Sequence, residues 1–130
     1  MSETMPQEFW QGVEQFNSGQ FYACHDTLEA LWIEASEPEK TLYQGILQIA
    51  VALYHLENGN LRGAAILLGE GSNRLRRYPY SYGGIDLEEL LSQTSALLTV
   101  LQQTSANKIS PGELVQNQTL PIPRIVLSKD

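Results

Sequence analysis

The segment from Leu42 to Glu57 is apolar around almost the whole circumference of a helix, and this feature most constrains the fold. At about 100° per residue, its polar side chains Gln44, Gln48 and His55 fall within about 40° of one another. A helix that is hydrophobic all round belongs in the middle of a domain. Polar groups carried there need hydrogen-bond partners, water or a ligand, because an unsatisfied buried group costs about 1–3 kcal/mol. We therefore expect a site at this narrow polar stripe.

Size and composition predict one folded domain. The 130 residues suffice to bury a single core without disulfides or a structural metal. An apolar fraction of 42% is typical of a folded protein rather than a disordered one. Cys24 is the single cysteine, so no internal disulfide can form. We expect it to be a small buried hydrophobe in a protein from a reducing compartment.

Two observations argue against a secreted or membrane protein. Residues 1–6 are acidic and lack the basic start and apolar run of a signal peptide. The apolar run is interrupted by polar side chains and is shorter than the roughly 20 residues that a bilayer span requires. We therefore predict a cytoplasmic protein without membrane contact. A net charge of −7 repels phosphate backbones, so no nucleic-acid partner is expected, despite a local cluster of Arg74, Arg76 and Arg77.

Five segments carry apolar residues at helical spacing and are separated by turn and stop signals. The predicted helices cover about residues 6–16, 20–35, 39–57, 60–77 and 87–104. Asn60 and Asp86 are predicted to cap the last two. In helix four, we expect three glycines to be contact points between helix backbones: Gly63, Gly69 and Gly71. The pattern predicts an all-α fold, a single compact five-helix bundle over residues 1–105 with the apolar third helix at its centre.

The composition changes after residue 105, and residues 106–130 are predicted to form an extended tail packed on or flanking the bundle. Residues 120–127 combine two prolines with alternating apolar side chains. Such a segment is either a strap laid across the bundle or a peptide offered to another molecule. The Tyr78–Tyr82 loop offers a second surface for a protein partner or for another copy of the chain.

Helix two carries the residues that are predicted to complete the site. His25 and Glu29 are four residues apart and therefore adjacent on its surface, with Trp32 one turn further. Antiparallel helices joined by a short connection contact one another. We therefore expect a polar groove between helices two and three, near His25, Glu29, Gln48 and His55.

Three interpretations of this groove stay open. In the first, its side chains form a buried hydrogen-bond network that only fixes helix packing. In the second, they bind a small polar or anionic ligand, and the candidate binding residues are Trp32, Tyr43, Gln44, Gln48, Asn60 and Arg62. In the third, His25, Glu29 and His55 form a metal or acid–base site, although they lack the spacing of known helical metal motifs.

Each kind of candidate residue would make a different contribution to binding a ligand. Trp32 and Tyr43 would supply apolar walls to a pocket. Arg62 lies just inside helix four, near the positive end of that helix. An anion bound there would meet both the guanidinium and free backbone N–H groups.

Three motifs follow one another along the chain: a helix with His25, Glu29 and Trp32, a Gln-Gly helix ending in Tyr-His, and Gly-Asn-Leu-Arg-Gly-Ala at residues 59–64. Together, over about residues 9–78, they resemble the domain-of-unknown-function 309 family, which consists of small all-α proteins. The resemblance implies the same fold and marks these motif positions: His25, Glu29, Trp32, Gln44, Gln48, His55, Asn60 and Arg62. It implies no reaction, because the family has no established activity.

Two functions from different classes remain. The first is a cytoplasmic domain that binds a small polar or anionic ligand in the groove. Its hydrolase-like version would use His25, oriented by Glu29, as a base, with His55 or Arg62 stabilising negative charge. The second is a structural or adaptor module whose polar residues only lock the packing. The sequence specifies no cofactor and does not decide between an enzyme and a binding domain.

Overall fold

The computed structural model describes residues 5–107 and 120–129. In these residues the chain forms five helices and one short hairpin, which confirms the predicted all-α bundle. In chain order the elements are α1 (Gln7–Asn17), α2 (Phe21–Glu34), α3 (Glu39–Glu57), α4 (Leu61–Leu75), β1 (Ser81–Tyr82), β2 (Ile85–Asp86) and α5 (Leu87–Asn107). Within the described ranges, no helix combines the length and hydrophobicity needed to cross a bilayer.

Helix α3 lies between α2 and α4, as its all-round hydrophobicity predicts. Its side chains at Leu42, Ile46, Ile49 and Leu53 recur every three or four residues and are at most 1% exposed. Burying a side chain of this size contributes about 1.5–3 kcal/mol. This row therefore provides a large part of the hydrophobic stabilisation and fixes α3 as the central helix.

Two glycines allow α3 and α4 to approach closely. A Cβ atom added at Gly71 would lie 2.8 Å from the carbonyl oxygen of Gly45 and 2.8 Å from Cγ1 of Ile49. Nothing lies within 4 Å of a Cβ added at Gly69, and the atoms nearest to Gly63 belong to the Asn60 cap. The expectation that all three glycines of α4 are contacts between helix backbones is thus wrong for Gly63 and Gly69.

The hairpin between α4 and α5 was not predicted from the sequence. In it Ser81 pairs with Asp86 and Tyr82 with Ile85, in antiparallel register. The intervening glycines, at positions 83 and 84, have φ values of 62° and 83°. A two-residue hairpin turn of this kind requires positive φ at both positions, which glycine adopts without strain. The paired glycines therefore form the hairpin turn.

The Tyr78–Tyr82 loop packs on the start of α3. The hydroxyl of Tyr78 donates to the carbonyl oxygen of Pro38, and the hydroxyl of Tyr82 donates to a carboxylate oxygen of Glu39 at 3.0 Å. The two rings lie 5.0 Å apart between centroids. Tyr80 is 72% exposed, so the loop offers one large side chain to solvent.

Residues 120–129, called the strap below, lie against the bundle, as one of the two predicted alternatives has it. Pro123 and Ile125 are buried, and Leu127 forms an antiparallel bridge with Ile85. The division of the chain into residues 1–105 and 106–130 stays a prediction. Most of the segment that would join the two parts, residues 108–119, lies outside the described residues.

Candidate functional site

The outer face of α2 brings one imidazole and two carboxylates together. Nδ1 of His25 lies 3.2 Å from Oδ1 of Asp26, and Nε2 of His25 lies 3.8 Å from Oε2 of Glu29. The spacing of four residues places His25 and Glu29 side by side on the helix, and the Asp26 side chain reaches the other imidazole nitrogen from the adjacent position. The imidazole is 21% exposed, and the carboxylates of Asp26 and Glu29 are 61% and 46% exposed. This group, called the His25 cluster below, is an open surface site rather than a buried network.

A row of four rings connects α2 to α3 beside this cluster. The ring of Tyr22 lies 5.8 Å from that of His25 and 5.2 Å from that of Tyr54. The ring of Tyr54 in turn lies 6.2 Å from that of His55. The two histidines therefore stand at opposite ends of the row, separated by two tyrosines. The predicted His25–Glu29–His55 triad is corrected by this arrangement, because Asp26 rather than His55 is the third residue near the His25 imidazole.

The charge of the His25 cluster selects among ligands. Two carboxylates lie next to the imidazole, so the cluster repels a free anion and attracts a cation. One ligand atom from each of the three residues can be chosen so that all lie within 4.8 Å of one another. An imidazole nitrogen and carboxylate oxygens are ligands of divalent transition metals. Chemically, the cluster can therefore hold a cation or take up a proton.

Gln48 is placed away from the His25 cluster. Its side chain accepts a hydrogen bond from Nη1 of Arg74 at 3.1 Å and donates one to Oε1 of Glu70 at 3.3 Å. Both partners belong to α4, so the polar stripe of α3 faces α4 at this point and not α2. Gln48 therefore does not take part in the groove that was expected near His25, Glu29 and His55. The sequence gives the angular position of Gln48 on α3 but not which neighbour covers it.

The two predicted apolar walls contact other residues. Trp32, near the end of α2, has the ammonium of Lys40 4.7 Å above its ring, and its carbonyl oxygen accepts a hydrogen bond from that ammonium at 2.7 Å. Tyr43 is buried against Phe9, with ring centroids 6.0 Å apart. Burial, and next the negative charges of Glu39 and Glu8, raise the pKa of the Tyr43 hydroxyl.

Tyr43 instead lines a shallow open depression of about 370 Å³ between the N-terminal part of α1 and α2. Pro6, Thr27 and Leu31 contribute to its walls, and Glu8 and Glu34 also line it. Trp32 is not among its lining residues. The two aromatic residues thus do not share one pocket.

The remaining candidates belong to the start of α4 and to α3. Oδ1 of Asn60 accepts a hydrogen bond from the N–H of Gly63 at 2.9 Å, which confirms Asn60 as the N-cap. Arg62 is exposed and makes no hydrogen bond or ion pair with any residue that the structure describes. Gln44 is half-buried on α3. None of these three side chains joins the His25 cluster.

Cys24 lies on the inner side of α2, next to His25 in sequence. It is fully buried, and burial raises the pKa of its thiol from 9.0 to about 12. The thiol is therefore protonated at neutral pH and is not a nucleophile. The expectation of a buried hydrophobe is confirmed.

Sequence reasoning missed Asp26, Tyr22 and Tyr54. Asp26 directly follows His25 in the sequence, but consecutive residues of a helix point about 100° apart, so the helical spacing did not select it. The ring contact between Tyr22 and Tyr54 joins two helices and has no local signal. It depends on how α2 lies against α3.

Every candidate residue discussed above lies within residues 9–67, where the chain matches the family model described as Domain of unknown function (DUF309). Over these residues the chain is similar to that family. The matched region contains most of α1, all of α2 and α3 and about the first half of α4, so the hairpin, α5 and the strap lie outside it.

Two relatives are similar to this chain over most of its length. An uncharacterized protein of Aquifex aeolicus is 29% identical over 84 residues, which are 64% of this chain and 25% of that protein. The uncharacterized protein YpuF of Bacillus subtilis is 29% identical over 99 residues, which are 74% of this chain and 57% of that protein. The chain thus spans about a quarter and just over half of the lengths of these relatives. The family and both relatives are uncharacterised, so no activity follows from the likeness.

Proposed function

We propose that this chain is a cytoplasmic binding module that holds a divalent transition-metal ion at the His25 cluster. The observation that carries the proposal is the convergence of His25, Asp26 and Glu29, whose ligand atoms lie within 4.8 Å of one another. One imidazole and two carboxylates provide three donors with two negative charges. A divalent cation would neutralise both charges.

The geometry of α2 supports such an ion with small side-chain rotations. Two ligand atoms at about 2.1 Å from a tetrahedral ion lie about 3.4 Å apart. Nε2 of His25 and Oε2 of Glu29 are 3.8 Å apart, which is close to that separation. The exposed side chain of Asp26 can rotate toward the same point. The imidazole favours zinc, nickel or copper over magnesium and calcium, which prefer all-oxygen sites.

A metal ion bound at the His25 cluster would also change how a small polar or anionic ligand binds to the protein. Without an ion, the two carboxylates repel an anion. With an ion held by three protein ligands, a coordination position stays open to water or to an anionic group, as in metal sites that bind substrates. The ring row of Tyr22, Tyr54 and His55 would form one side of the space around that position.

Titration calorimetry with ZnCl₂ on the full chain tests the proposal. His25→Ala is expected to reduce zinc affinity at least tenfold, and Glu29→Gln severalfold, because each removes a ligand. Binding should also weaken on acidification, since protons compete for the imidazole.

The chain provides matched controls for both variants. His55→Ala removes the only other histidine, and Glu34→Gln removes another exposed carboxylate of α2. Both should bind zinc like the wild type. Equal losses for His25→Ala and His55→Ala, or no zinc binding by the wild type, would contradict the proposal.

A second candidate function is favoured by a different observation. The Gln48–Arg74–Glu70 hydrogen bonds show that part of the polar stripe of α3 joins two helices, as in a structural or adaptor module. Such a module would use the Tyr78–Tyr82 loop or the strap for its partners. It requires no metal response, so the same calorimetry separates the two candidates.

A further inference from the structure

The strap occupies a surface that recognises an extended chain mainly through backbone groups. We propose that this surface also accepts the strap of a second copy, so that two copies of the chain exchange straps. The acceptor surface is formed by α1, the hairpin and α5, and consists of Asn17, Gly84, Ile85, Asp86 and Gln93.

Asn17, the last residue of α1, holds Ile125 in the way a neighbouring strand would. Its Nδ2 donates to the carbonyl oxygen of Ile125 at 2.9 Å, and its Oδ1 accepts from the N–H of Ile125 at 2.8 Å. A single side-chain amide thus satisfies both backbone groups of a strap residue that is only 3% exposed. This is a specific contact, because the side-chain amide of asparagine offers a donor and an acceptor side by side in one planar group.

The hairpin binds the next residues of the strap through backbone hydrogen bonds. The N–H of Asp86 donates to the carbonyl oxygen of Val126 at 2.8 Å, and the N–H of Ser128 donates to the carbonyl oxygen of Gly84 at 2.9 Å. Together with the bridge between Ile85 and Leu127, these bonds add the strap to the edge of β2. Adding a strand to a sheet edge is a recurring mode of peptide recognition, with affinity from main-chain bonds.

Side chains of the strap add selectivity to these backbone bonds. Pro123 and Ile125 are buried, and between them the N–H of Arg124 donates to Oε1 of Gln93 at 2.8 Å. The guanidinium of Arg124 donates to the carbonyl oxygen of Asn17 at 3.0 Å, at the C-terminal end of α1. A positive charge is favoured there by the helix dipole. The surface therefore selects the sequence Pro-Arg-Ile in an extended conformation.

The occupant that fits this surface is the strap itself, and every copy of the chain carries one. Residues 108–119 join the end of α5 to the strap, and twelve residues can span up to about 40 Å when extended. The covalent connection therefore does not fix which copy supplies the strap. A strap from a second copy would make the same hydrogen bonds. A strap that belongs to the same copy is present at a far higher effective concentration than a dilute second copy, so in dilute solution each copy binds its own strap.

Complementation between two full-length variants tests the exchange. Ile125→Asp keeps the acceptor surface but gives a strap whose central residue cannot be buried. Asn17→Leu keeps the strap but removes the amide that holds it. In an equimolar mixture, the intact strap of the second variant is expected to bind the intact surface of the first. Sedimentation should then show the mass doubling from 14.5 kDa in the mixture, while each variant alone stays monomeric.

The double variant Asn17→Leu/Ile125→Asp is the matched control and should form a dimer with neither single variant. A monomeric mixture of variants that keep their helical circular dichroism would overturn the proposal. If Ile125→Asp does not fold, Ile125→Ala replaces it, and a fluorescent peptide of residues 120–130 is added in trans. The peptide should then bind at least tenfold more tightly to Ile125→Ala than to Asn17→Leu/Ile125→Ala, and equal binding would contradict the proposal.

Discussion

Helix α3 has two sides that differ sharply in how its neighbours cover it. On the α4 side, Gly45 and Gly71 bring the backbones into contact, and Gln48 bonds to α4. On the α2 side, the rings of Tyr22 and Tyr54 meet at the surface and are 57% and 37% exposed. The comparison teaches that polarity alone does not turn a helix stripe into a site. The size of the residues on the neighbouring helix decides whether the stripe is closed or left open.

The largest effect on the packing of α3 against α4 is expected from adding a methyl group at Gly71. A Cβ there would lie 2.8 Å from a backbone oxygen, which cannot rotate away. Gly71→Ala is therefore expected to lower the free energy of unfolding by about 1–3 kcal/mol, as overpacking of a tight interface does. Denaturant unfolding measures the change. Gly69→Ala, two residues away in open space, is the control and should raise stability by about 0.5–1 kcal/mol.

On α2, the buried Cys24 stands next to the partly exposed His25, and its burial can be tested by the pH dependence of stability. Because burial raises the pKa of the Cys24 thiol to about 12 from 9.0, the thiol ionises in the unfolded chain before it ionises in the folded one. Its contribution to stability is therefore complete below about pH 9 and is lost progressively between pH 9 and 12.

At pH 10, the wild type should have lost about 1.4 kcal/mol more stability, relative to pH 8, than Cys24→Ala. Unfolding curves of both proteins at the two pH values measure this difference. Parallel pH profiles would show that the thiol is not excluded from water.

The smallest expected effect concerns the hydrogen bonds across the closed side. Gln48→Ala should cost about 1 kcal/mol, because it removes two bonds to α4. A double-mutant cycle with Arg74→Ala should give a coupling free energy of about 0.5–1 kcal/mol. His25→Ala, on the open side, should change stability by less than about 0.5 kcal/mol. If His25→Ala lost more stability than Gln48→Ala, the α4 side of α3 would not be the more tightly held of its two sides.

Local signals in the sequence predicted the helices well. Glycines at positions 19 and 59 have φ values of 79° and 78° and end α1 and α3 where the stop signals lie. Asn60 caps α4 as expected. Helix ends and caps depend on interactions between residues within one turn of each other, so they can be predicted from a short stretch of sequence.

The candidate site was predicted only in part. The pairing of His25 with Glu29 follows from helical spacing and is present. Gln48 and His55 were assigned to the same groove because they share a stripe on α3, but a helical wheel does not show which neighbour covers each part of that stripe. The short strands were missed because two-residue strands have too few residues to show an alternating pattern.

By itself, the sequence determined that α3 is central, where the helices begin and end, and which side chains share a helix face, because these follow from backbone geometry and the transfer of apolar surface out of water. Only the tertiary structure decided that Tyr22 meets Tyr54, that Gln48 bonds to α4 and that Asn17 holds the strap. These contacts depend on how closely separate elements approach. That distance is set by side-chain volumes on both partners, which no single segment of sequence contains.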